Sequence, residues 1–246
     1  NQVVRSALIL LHIIIENSTD DFTLQLGENI PFVFGNSLRL EQVVQVAAGS
    51  KASYAVLKDS TAMAWGDNSA FQLGCINCGT ESVPNFINVE VGTKLTGVIS
   101  IHSAANTAFA IVDNRLFGKR AVLSWGEDSV IGYNLLGRTI SSKAVPSPVT
   151  IRETNNTLLG IVKMDAGISH CIALDSNGHV WTWGDNSKGA LGIGNQMQVS
   201  GAIDITNNIR QFIGDFEAVD VQAGYGFSLV LCKNGRVISF GSNEFG

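Results

Sequence analysis

An interval of 17 residues, met three times, is the strongest constraint on what this chain can fold into. An apolar residue stands three places before each of Gly49, Gly167 and Gly224, and an aromatic-Gly pair closes 17 residues after each, at Trp65-Gly66, Trp183-Gly184 and Phe240-Gly241. A fourth copy lies between the first two, with Ile101, then Ala104 in the glycine place, then Trp125-Gly126 after 22 residues, so five residues are inserted in it. Successive aromatic-Gly pairs are 60, 58 and 57 residues apart. A unit recurring at this period cannot bury its faces alone and must stack on neighbours like itself.

Inside each copy the apolar period is two, that of a half-buried strand. Ile172 and Leu174 alternate with Cys171 and Ala173, the cluster Asp175-Ser176-Asn177-Gly178 marks a turn, and Val180, Trp181 and Trp183 begin a second strand. The glycines of Asn177-Gly178 and Asn234-Gly235 supply the positive φ of a tight hairpin. "WGDNS" occurs at 65–69 and 183–187 and runs on each time to a Leu-Gly pair. It closes a strand and opens an outer loop whose short polar side chains bond to the backbone. Because a Cβ penalises positive φ, Ala104 is expected to occupy the repeat-glycine place through a locally adjusted backbone.

Residues 166–192, "AG…HC.AL…NG.V.TWGDN..GALG", resemble the regulator of chromosome condensation repeat. The resemblance implies an all-β fold, a β-propeller of seven blades when complete, with about four blades in residues 43–246 and a worn partial one in 1–42. Departures are Ala104 for the repeat glycine, Phe240 for tryptophan, and Ala52, Thr107 and Phe227 in the histidine place held by His170. His170 is expected to hydrogen-bond a neighbouring blade.

In 1–42, Ile13–Ile15, then Phe22, Leu24 and Leu26, then Phe32-Val33-Phe34-Gly35 fit a degenerate copy with Gly35 as its aromatic-Gly end. Only 14 residues separate Gly35 from Gly49, against 38, 41 and 40 in the later intervals, so about two strands are expected to be missing there. The run Ser6–Ile15 is too short to span a bilayer and reads as buried strand. The chain starts without methionine and stops inside a repeat motif, as part of a longer protein would.

A net charge of −5 speaks against direct nucleic-acid binding, which a basic patch normally carries. Cys75-Ile76-Asn77-Cys78 is a lone C-x-x-C lacking the two further ligands of a structural zinc site, and its cysteines read as free thiols of a reducing compartment, cytoplasmic or nuclear. Cys171 and Cys232 belong to the ring interior. No catalytic group, cofactor or metal site is expected, since the polar residues fall in turns rather than in acid-base or nucleophile pairs.

Function is therefore expected in loops that break the repeat. The insertion places Arg115, Leu116, Phe117, Lys119 and Arg120 at a hairpin tip, where cations around an aromatic make a partner-contact site. After Trp125-Gly126 the same copy carries "EDSVIGYNLLG", similar to the projecting wedge with which the family's founding member releases nucleotide from a Ran-type GTPase. Two functions follow from the resemblance. The first is a protein-interaction scaffold within a larger protein or assembly, with another protein as partner and neither nucleic acid nor membrane insertion. The alternative is a guanine-nucleotide exchange factor for a small GTPase.

Overall fold

The computed structural model describes residues 40–114, 118–128, 134–138, 142–197 and 199–244. The degenerate copy and the apolar run at 6–15 lie outside them. Four antiparallel sheets follow one another along the chain, each with its strands in sequence order. The first comprises β1 (Val43–Ala48), β2 (Ala52–Leu57), β3 (Ala62–Gly66) and β4 (Glu81–Phe86). A small hairpin of β5 (Asn88–Glu90) and β6 (Thr93–Lys94) leads to the second: β7 (Val98–Ala104), β8 (Thr107–Asn114), β9 (Lys119–Gly126) and β10 (Ser147–Pro148). The third holds β11 (Ile161–Ala166), β12 (His170–Asp175), β13 (Val180–Gly184) and β14 (Val199–Asp204). A short helix, α1 (Thr206–Ile213), which the period-two reading does not foresee, precedes the fourth sheet of β15 (Ala218–Ala223), β16 (Phe227–Cys232) and β17 (Val237–Gly241).

The sheets are blades packed face to face, and the buried apolar residues lie between them. One cluster joins Tyr54, Ala64 and Leu73 of the first blade to Ile101, Ala110 and Trp125 of the second. The next joins Phe109 and Val122 to Met164, Cys171 and Trp183, and the last joins Ile172 and Val180 to Val221 and Val230. Each blade thus needs a neighbour to bury its faces, as the stacking argument requires. Innermost strands are also laced by polar bonds: Gln45 exchanges two hydrogen bonds with the Ile101 backbone (3.0 and 2.8 Å), and the Asp165 carboxylate accepts from Ala223 N–H at 2.8 Å.

Gly178 and Gly235 have φ of 83° and 84°, the left-handed geometry expected of the hairpin turns. The repeat glycines behave otherwise. Gly49, Gly167 and Gly224 do not adopt positive φ; their constraint is close approach, since a Cβ on Gly167 would meet the Gly224 carbonyl oxygen of the next blade at 2.3 Å and one on Gly49 the Ala105 carbonyl oxygen at 2.9 Å. Ala104 therefore needs no adjusted backbone to avoid a positive φ. Its methyl group is buried in the cluster between the second and third blades, and the positive φ, 50°, falls on Ala105 instead.

The repeated Trp-Gly…Leu-Gly stretch builds the joint between blades. After each Trp-Gly, an Asn or Asp side chain accepts the N–H of the leucine five to eight residues on: Asn68 from Leu73 (2.9 Å), Asp128 from Leu136 (3.0 Å) and Asn186 from Leu191 (3.0 Å). This holds the X-Leu-Gly turn as a seat for the aromatic of the following blade. Trp125 Nε1 donates to the Gln72 carbonyl and Trp183 Nε1 to the Leu135 carbonyl, both at 3.0 Å. A Cβ on Gly74, Gly137 or Gly192 would stand within 3.0 Å of the ring of Trp125, Trp183 or Phe240, respectively. Phe240 has no N–H to give, and there the Ser228 hydroxyl donates to the Ala190 carbonyl at 2.9 Å instead.

Candidate functional site

Antiparallel pairing puts the β1–β2, β7–β8, β11–β12 and β15–β16 turns, with the long outer loops, at one end of the blades. The β2–β3, β8–β9, β12–β13 and β16–β17 hairpins lie at the other. In three blades these hairpins end at the pairs Val56↔Ala62, Leu174↔Val180 and Leu231↔Val237. In the second blade the equivalent pair Ile111↔Val122 is followed by Val112↔Ala121, Asp113↔Arg120 and Asn114↔Lys119. The insertion therefore extends the β8–β9 hairpin by about 10 Å, at ~3.3 Å per residue.

Its base is firmly held. Asp113 N–H donates to the Gly97 carbonyl and Gly160 N–H to the Arg120 carbonyl, both at 2.7 Å, which ties both strands to the connections entering and leaving the blade. Lys119 and Arg120 are exposed just above this base. Arg115, Leu116 and Phe117 lie outside the described residues, so the geometry places two of the five predicted contact residues together.

The divergent loop of the same blade contains a residue that the repeat frame does not single out. Arg138, directly after the seat Leu136-Gly137, is buried; its Nε donates to Ser124 Oγ at 3.1 Å and its Nη2 to the carbonyls of Ser142 (2.7 Å) and Ser124 (3.2 Å). Burial lowers the guanidinium pKa and raises that of Asp128, whose charge opposes the Arg138 shift. An arginine after a Leu-Gly pair carries no sequence signal for this role, because only the folded loop brings these carbonyls around it.

His170 is fully buried and bonds across the joint as expected, with Nε2 2.9 Å from Ser228 Oγ of the next blade. Ser228 gives its one hydrogen to Ala190, so His170 Nε2 carries the proton. Burial lowers the His170 pKa to about 4, against a weaker opposing pull from Asp185 and Asp165. An unfolded chain binds that proton near pH ~6.5, whereas the folded one resists it down to about 4. Stability is then full above about pH 6.5 and falls as the pH drops toward 4, by roughly 2–3 kcal/mol from this group. Urea unfolding at a series of pH values checks this: a His170→Gln variant should lack that part of the acid sensitivity.

Cys171 and Cys232 are buried free thiols, and burial pushes the Cys171 thiol well up, which leaves it unreactive. Cys75 and Cys78, read from the sequence as free thiols, are instead paired as a disulfide, with Cα atoms 5.8 Å apart. The turn at Ile76-Asn77 brings the two together. No group of three or more metal-ligating side chains occurs among the described residues, and none of their helices is long and apolar enough to cross a membrane.

Four antiparallel blades joined by seated aromatics define a β-propeller of repeat type. The regulator of chromosome condensation (RCC1) repeat is matched at residues 43–72, 161–190 and 218–246 and, in a second form, at 177–231, so the chain carries repeats of this type. The human E3 ubiquitin-protein ligase HERC2 is 28% identical over 204 residues, which is 83% of this chain and 4% of that protein. A human RCC1-like G exchanging factor-like protein is 29% identical over 172 residues, 67% of this chain and 34% of that protein. The crystal structure of human WBSCR16 superposes with a TM-score of 0.61 at 20% identity, covering 82% of this chain and 48% of that one, which shows the shared fold. The chain thus spans a minor part of each of these relatives.

Proposed function

We propose that this propeller is a protein-interaction scaffold within a larger protein or assembly. The observation that carries the reading is the extended β8–β9 hairpin, fastened at Gly97 and Gly160, which carries the exposed Lys119 and Arg120 past the pairs at which the hairpins of the other blades end. A rigid scaffold that lengthens one loop while holding every joint constant is suited to present that loop to a partner. Its relatives of ligase and exchange-factor name embed such repeats in longer chains.

Replacing 114–119 by a two-residue Asn-Gly turn, which keeps Asp113 and Arg120 and their bonds to Gly97 and Gly160, should leave the unfolding midpoint unchanged, since the flanking register is set by pairs deeper in the blade. Partner binding should weaken by about 2 kcal/mol or more if the aromatic is an anchor. Recovery of bound proteins from cell extract by the intact and trimmed forms compares them; equal recovery of every partner would remove the hairpin from the interface.

A second reading is guanine-nucleotide exchange on a small Ran-type GTPase. It is favoured by the divergent loop after Gly126, built around Arg138, and by the exchange-factor name of one relative. Release of labelled nucleotide from a panel of loaded GTPases tests it directly, and no release from any of them sets this reading aside.

A further inference from the structure

Cys75 and Cys78 are bonded in the outer loop of the first blade, directly behind the Gln72-Leu73-Gly74 seat. The two sulfurs have different surroundings. Cys78 packs against the apolar cluster between the first and second blades, and Asn68 Nδ2 donates both to its carbonyl, at 2.8 Å, and to its Sγ, at 3.3 Å. Cys75 stands outside that cluster, half-buried, with the exposed Ile76 and Asn77 beside it. Asn68 Oδ1 meanwhile accepts the Leu73 N–H at 2.9 Å. In the third blade the equivalent Asn186 directs its Nδ2 to two carbonyls, those of Asn195 (2.7 Å) and Met197 (3.1 Å). In the first blade the Cys78 sulfur takes the part of the second carbonyl.

We infer that Cys75–Cys78 is a thiol–disulfide exchange site whose co-reactant is a dithiol, with Cys75 as the attacked sulfur and Cys78 as the leaving thiolate. Exchange is faster when the departing sulfur is the better stabilised thiolate. An N–H aimed at a group favours its anionic form. Among the described residues Cys78 Sγ has such a donor and Cys75 Sγ has none. A thiolate of the reductant attacks Cys75 Sγ, the bond between the two cysteines breaks, and its electron pair goes to Cys78 Sγ in front of Asn68 Nδ2. The reductant's second thiol then attacks the reductant sulfur of this mixed disulfide and releases Cys75. In sum the protein disulfide takes up two electrons and two protons, and the dithiol becomes a disulfide.

The bond is suited to reversal. It closes a loop over a sequence separation of only 3, so it restricts the unfolded chain little, and folding adds correspondingly little resistance to its reduction. Breaking it leaves the bond from Leu73 to Asn68 in place, so exchange frees the exposed turn at Ile76-Asn77 without unseating Trp125. Cys171 and Cys232 are buried and take no part.

Treatment of the folded full chain with excess reduced glutathione, quenching with N-ethylmaleimide and peptide mass spectrometry identify the attacked sulfur. Glutathione is expected on Cys75 with maleimide on Cys78, and the reverse pair overturns the assignment. With dithiothreitol, Cys75 and Cys78 of the folded protein should become open to alkylation while Cys171 and Cys232 stay unmodified, and oxidised glutathione should restore the bond. Reduction that takes place only in denaturant overturns the proposal, as do thiols that alkylate before any reductant is added and form no bond with oxidised glutathione. Asn68→Asp tests the leaving group. Asp128 shows that a carboxylate can hold the leucine N–H of a seat, but it offers Cys78 no donor, so reduction by dithiothreitol should slow about three- to tenfold. An equal or faster rate refutes the role of Asn68. Should that variant unfold, the position of glutathione in the unchanged chain decides.

Discussion

Trp183→Ala is expected to cost the fold about 3–5 kcal/mol, the range for emptying a fully packed aromatic site. The indole is completely buried between the second and third blades, with Phe109 edge-on to it at 6.2 Å, and Gly137 leaves it room. Neither blade can close the space alone, because each is held by its own ladder. Trp183→Phe separates the two contributions. It keeps most of the apolar ring but leaves the Leu135 carbonyl without its donor, for about 1–3 kcal/mol. Equilibrium urea unfolding of both variants checks the order. An unchanged midpoint for the alanine variant would mean that the joint between these blades does not hold the ring together.

The glycine beside it should matter as much. Gly184→Val is expected to destabilise by about 3–5 kcal/mol, combining backbone strain with steric overlap. At φ of 104° a branched side chain is strongly disfavoured, and its Cβ would stand 2.6 Å from the Ser169 carbonyl oxygen and 2.8 Å from His170 Cα, both backbone atoms that cannot swing aside. The same conflict recurs at Gly66, Gly126 and Gly241, where the nearest atom is again a carbonyl oxygen of the turn before the second strand of the same blade, at 2.3, 2.4 and 2.5 Å. Thermal unfolding of Gly184→Ala and Gly184→Val provides the measurement, with the valine variant the worse. Equal stability of wild type and both variants would contradict the backbone geometry on which the repeat rests.

The constancy of the 17-residue interval now has a physical cause. The repeat glycine marks where one blade's inner turn touches its neighbour, and the aromatic-Gly pair marks where the third strand returns beside that turn and reaches the seat behind it. Lengthening the chain between them is tolerated only at the far hairpin, where Val112↔Ala121 and the pairs beyond it add length without moving either end. That is why the insertion in the second blade is found there, and why it can be read as a contact element rather than a defect.

Much of this was legible in the residues. Period-two alternation gave the strands, Asn-Gly the hairpins, and recurrence the blades, because these depend on local backbone preference and on which face is apolar. Cys171 and Cys232 were placed inside on the same ground. What depends on contact between blades was not legible. The close approach that demands Gly167 and the exchange of Ser228 for the donor missing at Phe240 join atoms of different blades, and the burial of Arg138 depends on how one long loop folds back on its own blade; no local pattern encodes these distances. The sequence by itself determined a repeated β blade with one lengthened hairpin. Only the tertiary structure decided what each repeated residue is for, since a carbonyl becomes an acceptor, and a glycine a necessity, when a neighbouring blade comes within 3 Å of it.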